Sequence, residues 1–209
     1  MNNSTLGSGH LWVVAAASGT GKTTLVKALV AQVDNLVISI SHTTREPRPQ
    51  EMDGRDYFFI SAAEFQQLIA QNIFLEHASI YHYDYGTSRA WVMSELARGH
   101  DVILEIDWQG ALQIRSRWPM AQLIFILPPS LQVLKERLQK RRQDSAIVIE
   151  RRLAGAVHEI AHYAQFDYLV VNDDFNTALT QLTQIIAAAR CRRDRQEQRY
   201  ARLIAELLD

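Results

Sequence analysis

The sequence predicts an α/β fold, a parallel sheet flanked by helices, and three observations carry it. Short apolar, β-rich runs alternate with helical patterns through most of the chain. The runs are apolar on both faces, which is how strands read when helices cover both sides of a parallel sheet. The first run leads directly into a glycine-rich turn and a helix. With 209 residues, 47% of them apolar and 22% charged, the chain can bury one sizeable core.

The runs lie at residues 11–15, 36–40, 102–106, 123–127 and 168–171, with helical patterns at 22–32, 108–117, 131–141 and 147–164 between them. The first run precedes Ala16-Ala17-Ser18-Gly19-Thr20-Gly21-Lys22-Thr23-Thr24. Strand, Gly-rich turn ending in Gly-Lys-Thr and helix together make a phosphate-binding loop. The glycines let successive N–H groups converge on an anion, and the helix adds the positive end of its dipole. Lys22 would reach the β- and γ-phosphates of a nucleotide, and the Thr23 hydroxyl would hold Mg²⁺. Ala16 stands where the motif usually has its first glycine. An alanine is tolerated there if its φ is negative.

Residues 41–100 break the alternation. A short strand is expected at 57–60, followed by Ser61 and Glu64 as a capping box opening a helix. Phe74-Leu75-Glu76 and a tyrosine-rich turn complete what reads as an inserted unit, a fitting place for a second substrate. Within 41–57, Pro47 and Pro49 forbid a regular helix, so Arg45 and Arg48 project from a stiff loop. Arginine's planar fork suits a phosphate, although a solvated basic loop reads equally well from these residues alone. By pattern alone Glu76 reads as an exposed edge-strand acid. Glu105 and Asp107, at the end of the strand at 102–106, can hold Mg²⁺ or its waters beside the phosphate loop. Arg137, Arg141, Arg142, Arg151 and Arg152 recur at helical spacing, which by itself reads as a solvated basic helix.

His158-Glu159-Ile160-Ala161-His162 matches the helix of zinc proteases and puts both histidines on one face. No third histidine follows, so an ordinary helix is expected. Asn172-Asp173-Asp174 ends the last strand, with Asn176 as the expected N-cap of a helix over 178–189. Residues 190–209 mix six arginines with Leu203, Ile204, Leu207 and Leu208. They read as an amphipathic helix packing on the core or on a neighbouring subunit, which leaves open a homo-oligomer through this helix.

A net charge of −1 argues against a general nucleic-acid binder. Cys191 is the sole cysteine, no run approaches a membrane span, and residues 1–9 read as a polar lead rather than a signal. A cytoplasmic chain is the expectation.

Taken together, the sequence resembles the guanylate kinases, of the nucleoside monophosphate kinase group. The resemblance runs from residue 11 to about 189. It rests on the phosphate loop, Ser41-His42-Thr43-Thr44-Arg45-Glu46-Pro47-Arg48, Gly54 with Tyr57-Phe58-Phe59, Phe74-Leu75-Glu76-His77, Tyr85-Gly86-Thr87-Ser88, Ile106-Asp107-Trp108-Gln109-Gly110 and Val171-Asn172-Asp173-Asp174. It implies a P-loop NTPase core (about 11–40, 101–130 and 165–190), an inserted GMP-binding subdomain (about 41–100), a mobile lid (about 131–164) and a C-terminal helix, within one domain. The implied reaction is transfer of the γ-phosphoryl group of MgATP to GMP. Residues 16–24 and Asn172 would then bind ATP. Ser41, Arg45, Arg48, Tyr57 and Tyr85 would grip the GMP phosphate, while Glu76 reads the guanine with Gly86, Thr87 and Ser88 beside it. Glu51, Glu105 and Asp107 would line the same site, and Lys22, Arg137, Arg141 and Arg152 would neutralise the transferring group. Glu105, Asp84 and Arg142 stand where the family usually has Asp, Tyr and Gly. Two alternatives share the fold: a non-catalytic interaction module, against which the intact Gly21-Lys22-Thr23 speaks, and a ribose bisphosphate kinase, which would lack Glu76 with the 85–88 turn.

Overall fold

The computed structural model describes residues 9–80, 82–140 and 146–209. Arg141 and Arg142, read above as lid cations, lie outside the described residues, as do residues 1–8. Among the described residues the chain forms two sheets. The larger comprises β1 (Leu11–Ala16), β2 (Leu36–Ile38), β7 (Asp101–Glu105), β8 (Gln122–Leu127) and β9 (Tyr168–Val171). Its order is β2-β7-β1-β8-β9, and every pairing is parallel.

β1 shows why the runs read as apolar on both faces. Trp12 and Val14 pack with helices α1 (Lys22–Gln32) and α7 (Phe175–Arg190). Leu11 and Val13 point the other way, into a cluster with α3 (Arg89–Ala97) and α4 (Trp108–Arg117). The period of two thus feeds two cores, and the central strand is buried on both sides. A third cluster joins Ala17 of the phosphate loop to Leu134 and Leu138 of α5 (Leu131–Lys140) and Ala156 of α6 (Ala146–Ile160).

The smaller sheet, order β4-β3-β6-β5, is built from β3 (His42–Thr43), β4 (Phe58–Phe59), β5 (Phe74–Ile80) and β6 (Tyr83–Ser88), with α2 (Ala62–Ala70) between β4 and β5. It lies within the stretch read as an insertion. Helix α3 belongs to the same stretch but packs Val92 and Leu96 against the core sheet.

Several boundaries differ from the sequence reading. The second strand stops at Ile38, and the helix expected over 147–164 ends at Ile160, with a 3₁₀ turn at Tyr163–Gln165. The N-cap of α7 is Asp174, whose carboxylate accepts the Thr177 N–H at 2.8 Å. Asn176 already lies inside the helix, so the expected cap was two residues late. The tail forms two helices, α8 (Arg193–Arg199) and α9 (Ala201–Leu208). Leu203, Leu207 and Leu208 are exposed, so α9 does not pack on the core. The arginines before it do anchor: Arg190 and Arg195 each donate to Asp101, a carboxylate only 1% exposed, at 2.8 and 2.7 Å. No helix among the described residues is long and apolar enough to cross a membrane.

Candidate active site

At the carboxyl end of β1 the chain must turn sharply into α1. Gly19 and Gly21 both adopt left-handed φ, +93° and +92°, which side-chain-bearing residues rarely take. Neighbours enforce small residues as well: a Cβ at Gly19 would meet Leu138 at 2.9 Å, and one at Gly21 would meet the Asn172 amide at 2.7 Å. Ala16 needs no such freedom. It is still in β1, paired with Ile126, so the missing first glycine costs nothing here. Helix α1 begins after Gly21 with no side-chain cap and no acid in its first turn, whereas α2, α3, α4 and α7 are each capped by Ser or Asp. Its N-terminal N–H groups are left for an anion.

Around this turn lies a cavity of about 240 Å³. It is lined by residues 16–24, Ser41, Tyr57, Glu76, Ala78, Ile80, Tyr85, Glu105, Ile106, Asp107 and Glu159. Phosphate loop and inserted sheet therefore face one space. Lys22 Nζ donates to the Ile106 carbonyl at 2.8 Å, and the Thr23 hydroxyl donates to the Glu105 carboxylate. A hydroxyl and a carboxylate facing each other beside a phosphate loop are hard oxygen donors, the kind that hold Mg²⁺ together with waters and nucleotide phosphates. Among the described residues no group of three or more His, Cys, Asp or Glu could hold a metal.

Glu76 sits at the opposite end. Its pairing partner is Thr87, but the register slips between Phe74 and Glu76, leaving an extra residue on β5. This bulge breaks the alternation, so Leu75 enters the core while Glu76 is also buried, at 2% exposure. The exposed edge acid expected from pattern alone is thus a buried one. The Thr87 hydroxyl donates to Glu76 Oε1 at 2.5 Å. Burial pushes the Glu76 carboxyl up to about 7, with the nearby charge of Asp107 adding to the rise and the Thr87 bond opposing it. A carboxylate in this position can accept two adjacent N–H groups of a base edge. Asp107 caps α4 through the Gly110 N–H at 2.9 Å.

Within residues 41–57 the Arg45–Glu51 ion pair organises the proline-containing part of the loop. Arg45 Nη2 donates to Glu51 Oε1 at 2.9 Å while the Arg48 N–H donates to Glu51 Oε2 at 2.8 Å. Burial would raise the Glu51 carboxyl, but these two bonds and the Arg45 charge hold it below the usual range. The Arg45 guanidinium also lies 5.4 Å from the Tyr57 ring centre. Arg48 is exposed. Asp84 accepts from the Ser79 hydroxyl at 2.5 Å, inside the β5–β6 hairpin.

Arg137 and Asn172 stand behind the phosphate loop rather than in its cavity. Both donate to the Thr20 carbonyl, at 3.4 and 2.6 Å, and Arg137 also donates to the Asn172 carbonyl at 2.9 Å. Arg152 does not line the cavity. Glu159 does line it, accepting the Ser18 N–H at 3.1 Å, and the sequence reading missed it. Its signal was the zinc-protease pattern. That pattern is instead a packing turn, with His162 stacked 3.6 Å from Trp108 and His158 edge-on at 5.7 Å.

The family model for guanylate kinase matches residues 8–189. Similar proteins include the guanylate kinase of Coxiella burnetii, 54% identical over 200 residues covering 96% of this chain and 97% of that protein. Another is that of Escherichia coli (strain K12), 51% identical over 205 residues and covering 97% and 99%. The crystal structure of guanylate kinase from Anaplasma phagocytophilum superposes with a TM-score of 0.77 at 30% identity, covering 90% of each chain.

Proposed function

We propose that the cavity at the carboxyl end of β1 holds both nucleotides end to end, since the chain belongs to the guanylate kinase family, enzymes that move a phosphoryl group from ATP to GMP. The observation that carries this is the lining itself, which joins the glycine turn of residues 16–24 to buried Glu76. The donor phosphates lie on the N–H groups of that turn, and Lys22 exchanges the Ile106 carbonyl for the β- and γ-phosphates. Guanine offers N1–H and an exocyclic amine to Glu76. Adenine has an acceptor at N1 and would leave the buried carboxylate poorly paired. Ser41, Tyr57 and Tyr85, which line the cavity, hold the acceptor's phosphate together with Arg45 and Arg48 from the loop outside that lining, and Glu51 orients Arg45.

Chemistry then asks little of proton transfer. The acceptor is a phosphate whose second pKa is about 6, so it is largely ionised at neutral pH and needs no general base. The rate comes from holding the two phosphates in line and from neutralising charge. Lys22 supplies a cation, and Arg152 and Arg141 would add theirs from the lid. Arg137 contributes from behind, steadying the Thr20 carbonyl and with it the curve of the loop. Thr23 and Glu105 would hold Mg²⁺, whose charge would lower the cost of bringing two phosphates together. Asp107, which lines the same cavity, would orient waters around it. A cytoplasmic enzyme of purine nucleotide metabolism fits this reading.

Phosphorus NMR of the protein with ATP, GMP and Mg²⁺ tests it. GDP and ADP should appear together in equal amounts, and a chelator should stop both. Release of inorganic phosphate without GDP would refute the transfer.

A further inference from the structure

Gly110 is a glycine in the first turn of α4, at a position where φ is not left-handed and a side chain would ordinarily be favoured. Alanine is the better helix former, so a glycine there carries a cost that needs a reason. The reason is on the facing strand. A Cβ built on Gly110 would lie 2.4 Å from Glu76 Oε2, by far its tightest contact, and 3.2 Å from both Glu76 Cδ and Ile106 Cδ1.

We infer that Gly110 is a specificity-determining position: its missing side chain lets the Glu76 carboxylate sit where it can read the acceptor base. This rests on the reading of Glu76 given above.

The backbone of β5 cannot retreat to make room. Gln113, one turn further along α4, brackets His77 by accepting its N–H at 3.3 Å and donating to its carbonyl at 2.7 Å. Arg117, a further turn on, donates to the Leu75 carbonyl at 2.5 Å. Gly110, Gln113 and Arg117 lie at i, i+3 and i+7 on one helix face, so α4 grips the residues on both sides of Glu76. The Gly110 N–H is itself held by Asp107. What can yield to a new methyl group is the end of the Glu76 side chain, and its displacement would break the alignment of carboxylate, Thr87 hydroxyl and base edge.

The test is Gly110→Ala, assayed with GMP and with IMP, which lacks the exocyclic amine. KM for GMP should rise about tenfold and the preference for GMP over IMP should collapse, as expected for a misplaced buried acceptor. KM for ATP should stay within about twofold, while the melting temperature should fall modestly, because crowding at the 2.4 Å contact outweighs the better helix propensity of alanine. A merely structural glycine would show lower stability with an unchanged GMP-to-IMP ratio. That result overturns the inference, as does a KM for GMP within about twofold of the parent. In a Glu76→Gln background Gly110→Ala should add little, and a full additive loss there would also overturn it. Should Gly110→Ala fail to fold, Glu76→Asp/Gly110→Ala retracts the carboxylate by one methylene. Recovery of folding supports the contact, and continued misfolding refutes it. If Glu76→Gln alone keeps the parental GMP-to-IMP ratio, the reading of Glu76 itself fails, whatever Gly110→Ala does.

Discussion

The two ends of the cavity are built in different ways. The phosphate end is made of backbone: two left-handed glycines and an uncapped helix start, contiguous in the chain. The end proposed to read the base is assembled from three elements: Glu76 from β5, Thr87 from β6, and Asp107 with the bare backbone of Gly110 at the start of α4. Backbone N–H groups bind any phosphate and tell nothing about the base. A buried carboxylate with a raised pKa is costly to keep and rewards only a partner that brings the right donors. Affinity for the shared part of both nucleotides and selectivity for one base are thus separable, and the predictions follow from that separation.

Lys22→Ala should have the largest effect, a loss of turnover on the order of 10³-fold or more, because it removes the cation on the transferring group. Equilibrium binding of GMP, measured by calorimetry, should change by less than about threefold. A comparable loss of GMP affinity would mean that the two ends are not separate.

Glu76→Gln should come next, lowering kcat/KM for GMP about 10²-fold with KM for ATP unchanged, since the amide presents a donor where guanine also donates. Arg45→Ala should cost about tenfold in KM for GMP and the same factor for IMP, because the phosphate grip is blind to the base. A loss specific to GMP would place Arg45 at the wrong end.

The pH dependence sharpens the comparison further. Burial holds the Glu76 carboxyl at about 7, and guanine's donors require its ionised form. GMP binding should therefore release a proton below pH 7 and weaken as pH falls, approaching tenfold per unit. Calorimetry at pH 6.5 in two buffers of different ionisation enthalpy measures that proton. Glu76→Gln should abolish this part of the release, leaving only what the phosphate contributes. The smallest effect is expected from Thr87→Val, of similar shape but without the hydroxyl: about threefold in KM for GMP. Because the Thr87 bond lowers the Glu76 carboxyl, its loss should also move the pH midpoint upward.

The same division explains what could be read from the chain. Gly19, Gly21, Lys22 and Thr23 fall within five consecutive residues, so their geometry is local and the pattern sufficed. The alternating strands gave the parallel sheet for the same reason, since β1 shows its two cores through its own periodicity. The base end needed information from far along the chain. A bulge between Phe74 and Glu76 decides that the acid is buried, and no residue type in that stretch signals it. Pattern alone left Glu76 an exposed edge acid, and only the family resemblance pointed to its role. Gly110 was visible as part of a motif, but its reason lies on β5. The hydrogen bonds of Arg137 to the Thr20 and Asn172 carbonyls depend on how α5 docks behind the loop, which its own helix pattern does not carry. Glu159 was hidden in a pattern that pointed to zinc.

The central claim is that one cavity couples a base-blind phosphate loop to a guanine-reading carboxylate. The most direct measurement is ADP formation from MgATP with GMP, AMP and ribose bisphosphate offered separately as acceptors. The account predicts rapid turnover with GMP and almost none with the other two. Equal turnover with AMP, turnover with the sugar phosphate alone, or none with any acceptor in folded protein would contradict it.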